Sequence, residues 1–201
     1  LLVGCYVSKI YQTDETLIVK LVCSDGARRR LVLSPKHGFW VTRYDIPKPP
    51  APPFFCSELR RKLTRLKLLD LRQEDLDRIL YIGFGQEKIR YWLVLEVVRE
   101  GNIILLNADG EIMLALRYRK MRDRDVIKGL KYRPPPAIGI DVVSKETKEI
   151  INVLKQNSGK IAPLIIRGLG MPKEAVLDAI ARSGLKQDAD IGAVDQEKFT
   201  V

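Results

Sequence analysis

Residues 78–119, RILYIGFGQEKIRYWLVLEVVREGNIILLNADGEIMLALRYR, decide how the rest of the chain is read. The apolar runs RILYIGFG, IRYWLVLEVV, GNIILLN and EIMLALRYR are rich in β-branched and aromatic residues and are separated by short polar or glycine-bearing segments. Such runs fit a pleated, largely buried surface and predict strands. Between the last two, NADGE at 107–111 supplies the Asn, Asp and Gly of a tight hairpin turn.

Working upstream, VGCYVSKIYQT, TLIVKLVCS and RLVLSP read as three more strands, with SDGARRR as a turn, and predict an antiparallel meander. IPKPPAPPF at 46–54 packs five prolines into nine positions and excludes helix and central strand. In FFCSELRRKLTRLKLLDL at 54–71, Phe55, Leu59, Leu63 and Leu66 fall at helical spacing, with Arg60, Arg61, Lys62 and Arg65 on the remaining faces. A basic amphipathic helix between two strand groups predicts an α+β fold, an antiparallel β-sandwich or split barrel with packed helices.

Downstream, KYRPPPAIGI at 131–140 marks a boundary, so residues 1–143 are expected to form the β-rich domain and 144–201 a small all-α domain. SKETKEIINVLKQNSG predicts a helix with Ser144 as N-cap, Gly159 as stop and Ile150, Ile151 and Leu154 on its apolar face. Two shorter helices follow in KIAPLIIRGLG and PKEAVLDAIARSG. The chain begins at Leu rather than Met and ends within AVDQEKFTV, which reads as a piece of a longer protein.

With 201 residues, 46% of them hydrophobic, the chain can bury a sizeable core. The net charge of +10 favours polyanionic partners, and it is uneven: residues 1–143 hold 26 Lys and Arg against 17 Asp and Glu, residues 144–201 hold 9 against 8. A plain, heavily charged surface of the heat-adapted kind is the competing reading. Three widely spaced cysteines, Cys5, Cys23 and Cys56, argue against a disulfide framework and for buried thiols in the cytoplasm. His37, the single histidine, has no cysteine within ten residues, so no metal site is expected. It also has no nucleophile signature beside it, and no phosphate-binding glycine loop is present, so neither catalysis nor a cofactor is expected. No apolar run is long enough for a membrane span.

Two constellations suit nucleic acid. RYRKMRDRDVIKGLKYR at 117–133 carries eight basic residues against two acids, among them Arg117, Arg119, Lys120 and Arg122, with Tyr118 and Tyr132 interleaved for stacking. A solvated strand end with local Arg–Asp pairs is its bland alternative. In LIIRGLGMPKEAVLDAI, Gly168, Leu169 and Gly170 join two helices and leave the amides of the second free to seat a phosphate. It resembles a helix-hairpin-helix element, where Ala175 matches the small residue at the helix contact; any tight helical hairpin could carry the same glycines.

LVGCYVSKIYQ, PPFFCSELRRKL, DLDRILYIGFG, WLVLEVVREGNIILLNADGEI and LKYRPPP, in that order over about residues 1–143, resemble the amino-terminal domain of the NFACT family. That family includes eukaryotic NEMF, bacterial RqcH, archaeal relatives and older bacterial proteins of the "fibronectin-binding protein A" type. The resemblance implies a fold like the amino-terminal part of formamidopyrimidine-DNA glycosylases, without their chemistry, followed by a helix-hairpin-helix segment. It implies a cytoplasmic role in ribosome-associated quality control: binding tRNA and the large ribosomal subunit that carries a stalled peptidyl-tRNA, and promoting untemplated carboxy-terminal tailing. Self-association is left open. The family's Asp-Arg pair, needed for tRNA engagement, falls on Asp77 and Arg78. An acidic residue in the family's opening helix, its coiled coil and its carboxy-terminal region have no counterpart in these residues. Two rivals stand beside this reading. A DNA glycosylase-lyase is suggested by fold analogy, but Leu1 offers no amino-terminal catalytic group; a fibronectin-binding adhesin is disfavoured by the expected lack of disulfides.

Overall fold

The computed structural model describes residues 2–47, 49–73, 77–136 and 146–194. Within them one compact unit is β-rich, running to residue 73 and again from 78 to 135, and a second holds the helices of 146–194. The expected boundary at 143 and 144, with Ser144 as N-cap, lies outside the described residues.

β1 (Tyr6–Thr13), β2 (Thr16–Val22) and β3 (Arg28–Ser34) form the expected meander, which continues into β4 (Gly38–Thr42). After the proline-rich crossing comes α1 (Phe54–Leu63), then β5 (Lys67–Gln73), β6 (Ile79–Gly85), β7 (Ile89–Glu96), β8 (Asn102–Asn107) and β9 (Ile112–Ala115). The helix expected over 54–71 therefore ends at Leu63. Arg65 reverses the chain with φ +68, its amide donates to the Val7 carbonyl at 2.8 Å, and Lys67–Gln73 pairs with β6 instead. Leu66 is buried as the spacing implied, but beside β1, where its carbonyl accepts the Val7 amide at 2.9 Å. Tertiary contacts override the local helical period here.

Among the described residues these nine strands form one antiparallel sheet, ordered β4-β3-β2-β1-β5-β6-β7-β8-β9, rather than two stacked sheets. The two halves pair as strands near Tyr6 and Lys67. Beyond that point β1 and β5 diverge and α1 fills the split: Cys56 Sγ and Arg60 Nε both donate to the Ile10 carbonyl, at 3.4 and 2.5 Å. Phe55, Cys56, Leu59 and Leu63 bury the inner face of α1 in one core with Ile10, Leu31, Phe84 and Leu105. At the far side the halves meet again. A Cβ added to Gly101, after β7, would lie 2.4 Å from the Pro35 carbonyl after β3, and Arg117 pairs with Glu15 of the β1–β2 turn. One curled antiparallel sheet with α1 packed in its split makes this unit α+β, as two strand groups around a helix suggested.

A second apolar layer lies on the outer face of β6–β9, where Ile79, Tyr81, Val94, Ile104 and Leu106 pack beneath Val126, with Met121 and Tyr132 against them. Every residue of β6 is consequently buried. That explains why its sequence shows no polar alternation.

Cys5 and Cys23 form a disulfide, which corrects the expectation of free thiols. The register that pairs Tyr6 with Val22 sets these two buried residues opposite one another at the open end of the β1–β2 hairpin. Cys56 is the free cysteine and is buried; desolvation pushes its thiol pKa up.

In the second unit α2 (Thr147–Lys155), α3 (Ile161–Gly168) and α4 (Lys173–Arg182) surround Leu154, Ile161, Val176, Ile180 and Ile191. Ile151 and Leu154 are buried on α2 as expected, and Gly159 adopts φ +127 beyond its end. Ala175 is exposed, so Val176 and Ile180, rather than Ala175, make the buried contact of α4. Among the described residues no helix is long and apolar enough to cross a membrane.

Candidate nucleic-acid interface

Asp77 and Arg78 immediately precede β6, Asp77 half-buried and Arg78 exposed. The Arg78 carbonyl accepts the Val97 amide at 2.8 Å, which extends the β6–β7 pairing and fixes the backbone under its side chain. Arg78 lines an open groove of about 410 Å³ with Lys36, His37, Phe39, Gln73, Leu80 and Val97. Lys36 and His37 come from the β3–β4 turn, so curling of the sheet brings them to Arg78 across about forty residues of sequence. Among the described residues no carboxylate pairs with Lys36 or Arg78. A cationic groove with Phe39 in its wall can accept phosphate and stack a base.

The basic cluster at 117–133 divides into cations committed to the fold and cations that are not. A two-stranded piece, β10 (Arg119–Lys120) and β11 (Asp125–Val126), carries Val126 onto the outer face of β6–β9. Arg124 forks onto the buried Glu96, and Tyr132 donates to the same carboxylate while its ring packs edge-on against Tyr81. Burial, then the neighbouring Glu96 charge, pushes the Tyr132 phenol pKa up. Tyr132 is thus a cover for the sheet and not a free stacking ring, whereas Tyr118 is 49% exposed. Arg117 donates to the carbonyls of Glu100 and Gly101, both at 2.8 Å, besides its pair with Glu15. Arg119 pairs with Glu100, whose carboxyl pKa it holds down. Lys120 and Arg122 are exposed, and among the described residues neither has a carboxylate partner. Nothing in 117–133 alone could sort these roles, because Glu15, Glu96 and Glu100 lie outside the segment.

In the second unit Leu169 donates its amide to Ile165 at 2.9 Å, closing α3, and Gly170 takes φ +63 before Pro172 caps α4. A Cβ on Gly168 would stand 3.3 Å from a Leu154 methyl, so that glycine serves the packing of α3 on α2. The first amides of α4 have no side-chain cap, but Glu174 sits in the same turn and opposes an incoming phosphate. Among the described residues no group of three or more His, Cys, Asp or Glu side chains could hold a metal ion.

The family model for the NFACT N-terminal and middle domains matches residues 1–201. The chain belongs to the NFACT family. The archaeal Rqc2 homolog aRqcH of Methanocaldococcus jannaschii is 34% identical over 127 residues, 62% of this chain and 19% of its own length. The human ribosome quality control complex subunit NEMF is 26% identical over 208 residues, covering 100% of this chain and 19% of NEMF. This chain thus spans about a fifth of these relatives. In structure it is similar to the N-terminal domain of the fibronectin-binding protein PavA from Streptococcus pneumoniae, with TM-score 0.76, 21% identity, and coverage of 91% of this chain and 74% of that one. The N-terminal part of a fibronectin/fibrinogen-binding protein from Streptococcus suis gives TM-score 0.76 at 21% identity, covering 98% and 76%.

Proposed function

We propose that this NFACT chain is an RNA-binding part of a cytoplasmic ribosome-associated quality-control factor, which engages tRNA on a large subunit bearing a stalled peptidyl-tRNA. In this reading Arg78 forks onto or stacks with the RNA, Asp77 orients it or accepts from a ribose hydroxyl, and Lys36 and His37 hold the neighbouring phosphate. The single observation that carries it is the exposed Arg78 side chain on a rigidly paired backbone, in a groove shared with Lys36. Lys120 and Arg122 extend the contact, with Arg117 and Arg119 supporting the same edge. The Leu169–Gly170 turn beside Gly168 would take a further phosphate through backbone amides, in the manner of a helix-hairpin-helix element, and would do so against the Glu174 charge. Untemplated tailing belongs to the full-length protein on the ribosome, with peptide transfer left to the ribosome itself. A competition titration tests the reading: folded tRNA should displace a labelled tRNA well before duplex DNA or single-stranded RNA does, and equal competition by all three overturns it.

A second reading, adhesion to an extracellular matrix protein, is favoured by the Cys5–Cys23 disulfide, which suits an oxidising compartment. Fractionation of the source cells decides it: surface-exposed protein supports adhesion, and co-sedimentation with large ribosomal subunits supports quality control.

A further inference from the structure

The register of the first three strands places like charges side by side. Lys9 lies opposite Lys20, and Lys20 lies opposite Arg30. Directly opposed residues share a face, and like charges so placed are destabilising. The neighbouring row, Ile10, Val19 and Leu31, packs in the core with α1, so the cationic row is on the opposite, outer face, where the next row along, Ile18 and Val32, is itself covered. Next to it Tyr6 pairs with Val22 and Val22 with Arg28, while Lys67 stands opposite Tyr6 from β5.

Aromatic rings rather than carboxylates hold Lys9, Lys20 and Lys67. The Lys9 and Lys20 ammoniums lie 5.4 and 5.2 Å from the Tyr11 ring centre, with the Arg60 guanidinium 5.2 Å from the same ring. Lys67 lies 5.3 Å from the Tyr6 ring. Among the described residues Lys9, Lys20, Arg28 and Lys67 have no carboxylate partner. Arg30 reaches Asp45 at 3.5 Å. A cation resting on a ring keeps its N–H donors for another acceptor while its rotamer is restrained. Three strands set the row roughly 10 Å across, which suits successive charges on a polymer better than one small anion.

We propose that the end of the β1–β3 outer face that carries Lys9, Lys20 and Arg28, with Lys67 of β5 beside it, is a second phosphate-binding surface, separate from the Arg78 groove, and that it docks the sugar–phosphate backbone of RNA. The choice of RNA as the polyanion rests on the ribosome-associated reading above. The cost of opposing Lys9, Lys20 and Arg30 is then offset when phosphates sit between them. Tyr6, 42% exposed, and Val22, 37% exposed, offer apolar contact to the sugars.

The test compares the full chain with Lys9→Gln/Lys20→Gln/Lys67→Gln in titrations of total tRNA, poly(U) and phosphatidylserine vesicles at several salt concentrations. The triple variant should bind both RNAs about tenfold more weakly, with the slope of log affinity against log salt smaller by about 2, because three phosphate contacts are lost. Its melting temperature should hold or rise, since Lys20 no longer faces like charge. Asp77→Ala/Arg78→Ala should instead lose the preference for tRNA over poly(U) while keeping the salt slope for poly(U); if it keeps the preference, the groove reading fails and this surface stands. Wild-type affinity and slope in the triple variant overturn the surface and leave the groove intact. Absence of RNA binding by the wild-type chain, or a loss confined to vesicles, also overturns it.

Discussion

Arg124 forks onto Glu96, Nη1 to Oε1 at 2.6 Å and Nη2 to Oε2 at 2.7 Å, with side chains 8% and 3% exposed. The pair pins the 117–133 segment over the outer face of β6–β9. Leaving one charge buried alone is expensive, so Arg124→Met or Glu96→Gln should each lower stability by about 3–5 kcal/mol. Replacing both with residues of similar volume should restore much of it. Denaturant melts of the two single variants and the double variant check this.

Tyr132 donates to the same Glu96 at 2.9 Å, and burial raises its pKa. The unfolded chain releases this proton near pH 10, about the ordinary tyrosine value, while the folded chain holds it to higher pH. Stability from this group is therefore complete at neutral pH and falls as pH rises past about 10, by up to about 1.4 kcal/mol per pH unit. Tyr132→Phe should be less stable at pH 7 yet show a flatter decline above pH 10. Urea melts across that range measure both.

The closure of the curled sheet depends on Gly101 beside Pro35. Gly101 and Gly110 both have positive φ, 64° and 80°, but an added Cβ meets the Pro35 carbonyl only at Gly101 and meets nothing within 4 Å at Gly110. Gly110→Ala should cost about 1 kcal/mol, from backbone strain. Gly101→Ala should cost about 2–4 kcal/mol, since overpacking is added. Equal losses in thermal melts would mean the two sheet halves do not touch there.

Native protein should show no rapidly alkylated thiol near neutral pH, because Cys5 and Cys23 are bonded to one another and Cys56 is buried with a raised pKa. Denatured without reductant it should show one thiol per chain, from Cys56. Cys5→Ser/Cys23→Ser should lower stability by about 2–3 kcal/mol. Mass spectrometry after alkylation gives the count, and melts give the loss.

Much of the fold was readable because strands with dense β-branched residues and a DG turn state their own structure, as in β6–β9 and NADGE. The end of α1 was not, since Phe55, Leu59, Leu63 and Leu66 keep a helical spacing and Thr64–Arg65 carries neither Gly nor Pro. Pairing of β5 with β6 decides that boundary, and pairing is non-local. The same holds for the candidate sites. Arg78 could be singled out locally, but Lys36 and His37 join it only through the curl, and the Lys9–Lys20–Arg30 row appears only once the register and the bulge between Val7 and Lys9 are known. Cys5 and Cys23 likewise become neighbours through that hairpin.

Whether the Asp77–Arg78 pair meets tRNA is measured most directly by the affinity of Asp77→Ala/Arg78→Ala for folded tRNA beside its melting temperature. Exposed Arg78 and half-buried Asp77 should leave melting within a few degrees of wild type. Binding should weaken about tenfold or more, equivalent to about 1.4 kcal/mol. Affinity equal to wild type in a variant that melts like wild type would contradict it.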